Sequence, residues 1–295
     1  MDAYRQRHAG IEHQHYKVAD FPFVANINVV KYSTWFVCSG IFIDKNQVIT
    51  SADCVTDADG QAVAEADIRV RDTTQDLANN DTLAVRSVLV HQGYNATKYV
   101  NNLAVLTLDA SVSNWPTQSM PHIAVEAPTT ADLAHVGWTK DLTVFGAQDS
   151  FDSDIMVYLE PTTTVCSTTA QNKIRDFSGG YHDRQYACAP YDWKSAHPVF
   201  TGGSVLATTT NDTWYFYGLE NYELKDDAHK TFVFTRLSHH LAWLEIAAHR
   251  TAKNMTGRDD PYGDLDQPSG ASSLPSAYLA SLLWAAVTVA WTVTM

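Results

Sequence analysis

Along most of the chain, short runs rich in β-branched and aromatic residues alternate with clusters of turn-forming residues. The runs at 23–30, 68–70, 88–90, 142–145, 155–159 and 213–217 read as strands, because such side chains suit a pleated, half-buried surface. One stretch departs from this pattern. Leu237, Leu241, Leu244 and Ala248 fall on one face at helical spacing, with Ser238 as the expected N-cap, which predicts a closing helix. A chain of 295 residues can bury a large core or two, and two packed β-barrels fit that length. No internal repeat, low-complexity block or nucleotide-binding glycine motif interrupts the pattern.

The two ends differ from the middle. The first eight residues lack the apolar h-region of a secretory signal, which predicts that the natural leader lies upstream. Residues 251–273 form a polar linker, ending in the small residues Ser269, Gly270, Ala271, Ser272 and Ser273. Residues 274–295 are largely apolar, and the uncharged run from Ala277 to Met295 is close to the roughly 20 residues that span a bilayer. Small residues followed by an apolar tail predict a GPI attachment signal, with a tail-type transmembrane helix as the alternative. The expected divisions are an N-terminal segment at 1–21, a globular domain at 22–250, the linker and the tail.

Composition narrows the function classes. A net charge of -13 with no basic stripe excludes nucleic acid as an expected partner, since phosphate binding needs clustered Lys and Arg. It suits an acidic ectodomain. No CxxC occurs among the four cysteines, and His8, His13 and His15 read as a solvated tail, so neither a metal nor a cofactor is expected. Asn80, Asn95, Asn211 and Asn254 each open an N-x-T sequon, which points to the secretory pathway.

Three segments carry the candidate chemistry: Thr50-Ser51-Ala52-Asp53-Cys54, Asn102-Leu103-Ala104-Val105-Leu106 and Thr201-Gly202-Gly203-Ser204. In order and spacing they resemble the His, Asp and Ser motifs of trypsin-like serine proteases. Cys38-Ser39-Gly40, Gly137-Trp138 and Phe234-Thr235-Arg236-Leu237 extend the resemblance, which runs from about 22 to 250. It implies an all-β fold of two packed antiparallel six-stranded barrels, split near 130, with a C-terminal helix. It also implies two disulfides, Cys38 with Cys54 and Cys166 with Cys188, and hence an oxidised extracellular protein.

By the same resemblance all three catalytic positions are substituted. Asp53 stands for the general-base His, Asn102 for the orienting Asp and Thr201 for the nucleophilic Ser. Val199 replaces the oxyanion-hole glycine and Phe200 the Asp that pairs with a freed amino terminus. Ser195 would lie at the base of the specificity pocket. Asn221 and Tyr222 would form the substrate-backbone strand, with Glu223 in place of a glycine. An Asp with an ordinary pKa near 4 suits neither proton role at neutral pH, and the β-branched Thr201 has a stiffer rotamer for attack. The bland readings are that Asp53 is a satisfied polar group and Thr201 shapes a turn. His239 and His240 read as surface residues, and 214–217 as a core strand. The expectation is a non-catalytic serine protease homologue that binds an extracellular or cell-surface protein, such as a protease, zymogen or inhibitor. A hydrolase using Thr201 with Asp53 on reactive substrates is the alternative from another class, and a structural surface protein with a vestigial groove is a third.

Overall fold

The structure is a computed structural model that describes residues 14–16, 21, 23–73, 82–113, 122–125, 133–138, 156–159, 163–192, 201–210, 213–225 and 229–248. Contacts divide the chain into a unit at 1–263 and a second at 264–295, and the second lies outside the described residues. The linker, the tail and the expected strand at 142–145 lie outside them as well. Among the described residues no helix is long and apolar enough to cross a membrane.

Strand β1 (Gln14–Tyr16) precedes six strands that close on themselves: β2 (Val24–Lys31), β3 (Thr34–Asp44), β4 (Gln47–Thr50), β5 (Ile68–Arg71), β6 (Thr82–Val90) and β7 (Ala104–Leu108). Their order around the barrel is β2-β3-β4-β7-β6-β5. Side chains on a strand alternate between faces, and here both faces are used. Ala25, Ile27 and Val29 on β2, Val48 on β4 and Ala104, Leu106 and Leu108 on β7 fill the barrel. Val24, Ile49 and Val105 point the other way, into a second cluster shared with Val136, Trp138, Val205, Phe216 and Leu244. A second buried layer therefore lies between the barrel and the second half of the domain.

That second half is an eight-stranded sheet. It adds β8 (His122–Ile123), β9 (Leu133–Trp138), β10 (Met156–Leu159), β11 (Tyr186–Asp192), β12 (Val205–Thr210), β13 (Thr213–Lys225) and β14 (His229–Arg236). The strand order is β1-β10-β9-β12-β13-β14-β11, with β8 parallel to β13. The all-β expectation holds, and every expected strand run among the described residues is a strand. The aromatic run on β13 is core as expected, with Tyr215, Phe216 and Tyr217 buried. Both implied disulfides are present, Cys38–Cys54 and Cys166–Cys188.

Four readings need correction. Helix α1 (Thr168–Ser178) was not expected, although its signals are in the sequence: Ser167 accepts a capping bond from Ala170 N, and Ala170, Ile174 and Ser178 bury one face. Gly179 ends it at φ 79°, where its N–H bonds Arg175 O and a residue without Cβ is favoured. Ser238 is not an N-cap. A 3-10 turn at Leu237–His240 precedes α2 (Leu241–Ala248), and Ser238 is buried inside it. The same turn swings His240 inward, where it is only 5 % exposed and its ring lies 5.2 Å from that of His91. Burial, helped by His239 and His91, holds the His240 pKa well below its ordinary value, so this ring is neutral rather than a charged surface group. Finally, His15 lies in β1 against β10, not in a solvated tail.

Candidate functional site

Asp53 sits in a 3-10 turn, Ala52–Cys54, directly after β4. The disulfide from Cys54 to Cys38 on β3 fixes that turn to the barrel. Asn102 enters from the start of β7 and meets Asp53 twice: Asp53 N donates to Asn102 Oδ1 at 2.9 Å, and Asn102 Nδ2 donates to Asp53 Oδ1 at 2.8 Å. The second amide proton of Asn102 goes to Asn221 Oδ1 at 2.8 Å, and Asn221 Nδ2 donates to Tyr99 O at 2.9 Å. A bulge in β13 between Glu220 and Tyr222 leaves Asn221 outside the β13–β14 ladder. Such an extra residue can be re-aimed, here toward the other half of the domain.

Burial pushes the Asp53 carboxyl above its usual range, against the pull of hydrogen bonds from Asn102 and Ser51 and of the nearby Lys31 ammonium. Lys31 also donates to the Asp53 carbonyl.

Thr201 follows different partners. It is 1 % exposed, and its hydroxyl lies 2.9 Å from Ser39 Oγ. Ser39 Oγ in turn accepts from Trp138 N at 3.0 Å, while Thr201 N donates to Trp138 O at 2.9 Å. Ser39 N donates to Gly202 O at 2.8 Å. The Thr201 turn is thus stitched to β3 and β9, and its hydroxyl meets another hydroxyl. No hydrogen bond joins it to the Asp53 carboxyl, so the pairing needed by the hydrolase alternative is not formed. General-base catalysis requires the base within hydrogen-bond reach of the proton it removes.

Asn221, Tyr222 and Glu223 lie on β13, while Ser195, Val199 and Phe200 lie outside the described residues. The Glu223 carboxylate is committed to Lys230 on β14 at 2.5 Å, and Lys230 is buried over the Phe232 ring. Tyr222 packs its ring 5.0 Å from Phe177 at the end of α1 and 6.1 Å from Tyr99. Its hydroxyl meets Ser178 Oγ at 3.2 Å, and burial raises its pKa to about 12.

Ser204, the last residue of the Thr201 motif, joins a buried polar group whose other members no motif announced. Ser204 Oγ is 2.7 Å from His135 Nε2 and donates to Glu220, whose carboxylate is 3.3 Å from the same ring nitrogen. Burial lowers the His135 pKa, partly offset by Glu220. The group's sequence signal is weak: His135 interrupts the apolar run Leu133–Trp138, while Glu220 sits among other polar residues on β13.

An open cleft of about 340 Å³ lies over Asp53, lined by Lys31, Tyr32, Asp53, Tyr94, Ala96 and Tyr99. Tyr32 and Tyr99, both of which line the cleft, hold left-handed backbone, φ 51° and φ 50°. Among the described residues no group of three or more His, Cys, Asp or Glu is disposed to hold a metal ion.

A sequence profile of the family described as Trypsin matches residues 11–244. The chain belongs to the trypsin family. Trypsin alpha of Drosophila melanogaster is 27 % identical over 173 residues, 58 % of this chain and 63 % of the relative, so the chain spans less than two thirds of that relative's length. Chymotrypsin-C of Bos taurus is 23 % identical over 232 residues, 76 % of this chain and 83 % of the relative. Among solved structures, the secreted serine protease VesC from Vibrio cholerae superposes with a TM-score of 0.56 at 16 % identity, covering 82 % of this chain and 49 % of that one; that likeness concerns the fold alone.

In this trypsin-family chain Asp53 and Asn102 are matched to each other. Asn102 spends both amide protons on acceptors, Asp53 Oδ1 and Asn221 Oδ1. An aspartate at 102 would have no proton to give at neutral pH and would face a second carboxyl. Asn102→Asp is therefore expected to destabilise the domain by about 1–3 kcal/mol at neutral pH, with the loss shrinking in acid as one carboxyl of the pair takes up a proton. Urea unfolding at two pH values checks this. An Asn102→Asp protein as stable as the parent at neutral pH would mean the pairing is unimportant.

Proposed function

We propose that this trypsin-family chain is a non-catalytic member of its family that acts by binding another protein outside the cell. The observation that carries the reading is the Thr201 hydroxyl, enclosed and bonded to Ser39 while the carboxyl at 53 is tied to Asn102. With Asp53, Asn102 and Thr201 in the His, Asp and Ser positions, no base among the described residues is hydrogen-bonded to the Thr201 hydroxyl to take its proton and return it to a leaving group. Losing a base or nucleophile alone costs on the order of a millionfold in turnover. Two disulfides fit an oxidising compartment, and a GPI or membrane tail at 274–295 would hold the domain at the cell surface. Partners of the expected kind are an active protease, a zymogen or an inhibitor.

The test is labelling with a fluorophosphonate probe together with turnover of activated peptide esters, with Thr201→Ala as control. Neither adduct nor turnover above that control is expected. An adduct on Thr201, or hydrolysis abolished by Thr201→Ala, would overturn the reading in favour of a threonine hydrolase.

A further inference from the structure

The loop at 91–101 between β6 and β7 forms one wall of the cleft, through Tyr94, Ala96 and Tyr99. Asn95 is exposed, stands between the two lining residues Tyr94 and Ala96, and opens the sequon Asn95-Ala96-Thr97. Its backbone N–H donates to Val100 O at 3.1 Å, which closes the loop into a narrow hairpin. Its side-chain oxygen accepts from Thr97 Oγ1 at 2.8 Å, Lys98 N at 3.0 Å and Thr97 N at 3.1 Å. The acceptor end is thus folded back on the loop, and Nδ2, on an exposed residue, has no partner among the described residues. The facing turn comes close by: a Cβ built on Gly60 would lie 3.5 Å from Ala96 Cβ. A group carried on Asn95 therefore stands beside the place where the two walls of the cleft meet.

We propose that Asn95 carries an N-linked oligosaccharide that stands at the mouth of the cleft over Asp53 and restricts it to slender ligands. The amide nitrogen attacks the anomeric carbon of a lipid-diphosphate-linked oligosaccharide. A C–N bond forms, the C–O bond to the diphosphate breaks, the lipid diphosphate leaves with the bonding electrons, and Nδ2 gives up one proton. An N-glycan is bulky and hydrated. At this position it excludes a broad protein surface from the cleft while an extended segment or single side chain still passes. The gate does not depend on whether the cleft is catalytic or binds a protein.

The test uses the full chain made through a eukaryotic secretory route, beside Thr97→Ala, which removes the sequon, and Thr97→Ser, which keeps it. Peptide mass mapping after glycosidase treatment reads occupancy at Asn95. Acylation of Lys31, which lines the cleft, by a small active ester and by the same ester on polyethylene glycol reads access. Asn95 is expected to be occupied in the parent and in Thr97→Ser only. The bulky ester is expected to acylate Lys31 several-fold faster in Thr97→Ala, with equal rates for the small ester showing that the cleft itself is unchanged. An unmodified Asn95 in the secreted parent overturns the site, and equal bulky-ester rates with and without the glycan overturn the gate.

Discussion

Trp138→Ala is expected to lower the stability of the domain by about 4–6 kcal/mol, combining about 3–5 kcal/mol for emptying a large buried site with the loss of a buried hydrogen bond. Trp138 is fully buried in the cluster that joins the barrel to the second sheet. Its indole Nε1 donates to Ala25 O on β2 at 3.0 Å, so one side chain from β9 bonds the opposite half. A tryptophan at this position cannot be replaced by neighbours sliding in, because close-packed interiors relax only partly around a large void. Trp138→Phe keeps most of the volume and loses the donor, so about 1–2 kcal/mol is expected. Urea unfolding with disulfides intact, followed by circular dichroism so that the lost indole does not bias the signal, measures both. A Trp138→Ala protein within about 1 kcal/mol of the parent would show that the two halves do not depend on this contact.

Gly203→Ala is expected to cost about 3–5 kcal/mol, for two reasons that act together. The residue holds φ 80°, a conformation that costs a residue with Cβ about 1–2 kcal/mol. In addition, a Cβ there would lie 2.3 Å from Ser39 O and 2.9 Å from Thr50 Oγ1. The first of these atoms is backbone in the middle of β3, where Thr50 Oγ1 donates to the same carbonyl at 2.7 Å, so it cannot yield as a side chain would. Gly202→Ala is the control. Its Cβ would meet Cys54 Sγ at 3.2 Å, and its φ is not in the left-handed range, so the cost should be well under half as large. Thermal unfolding of the two variants side by side decides the matter. Equal midpoints would mean that the turn carrying Thr201 can move away from β3.

Much of the candidate site was legible before any coordinates. The spacing of the Asp53, Asn102 and Thr201 segments carried the resemblance, and the structure brings Asp53 and Asn102 into direct contact. The disulfide pairs followed from the same resemblance. What stayed hidden were the hydrogen-bond pairings between motifs, which no motif states. Ser39 takes the Thr201 hydroxyl from 162 positions away, and Asn221 reaches Asn102 across 119. Helix α1 is weakly marked in the sequence, since its segment buries only Ala170, Ile174 and Ser178, although Ser167 and Gly179 mark its two ends. His240 reads as a surface residue from sequence because a polar pair at a helix start usually faces water; its burial comes from the 3-10 turn and from His91, which lies on another segment.

By itself the sequence determined the class of fold, several of its strand runs and the identities of the three residues at the candidate centre. Those depend on local alternation of side chains and on motif spacing, which are properties of neighbouring residues. Tertiary structure alone decided how these residues are used: that the Thr201 hydroxyl turns to Ser39, that Asn102 serves the Asp53 carboxyl and the Asn221 side-chain carbonyl, that Glu223 spends its charge on Lys230, and that Asn95 stands between two residues that line the cleft. The reason is physical. A hydrogen bond or ion pair depends on positions to within about half an ångström, and those positions are set by strands from opposite ends of the chain meeting in one packed layer.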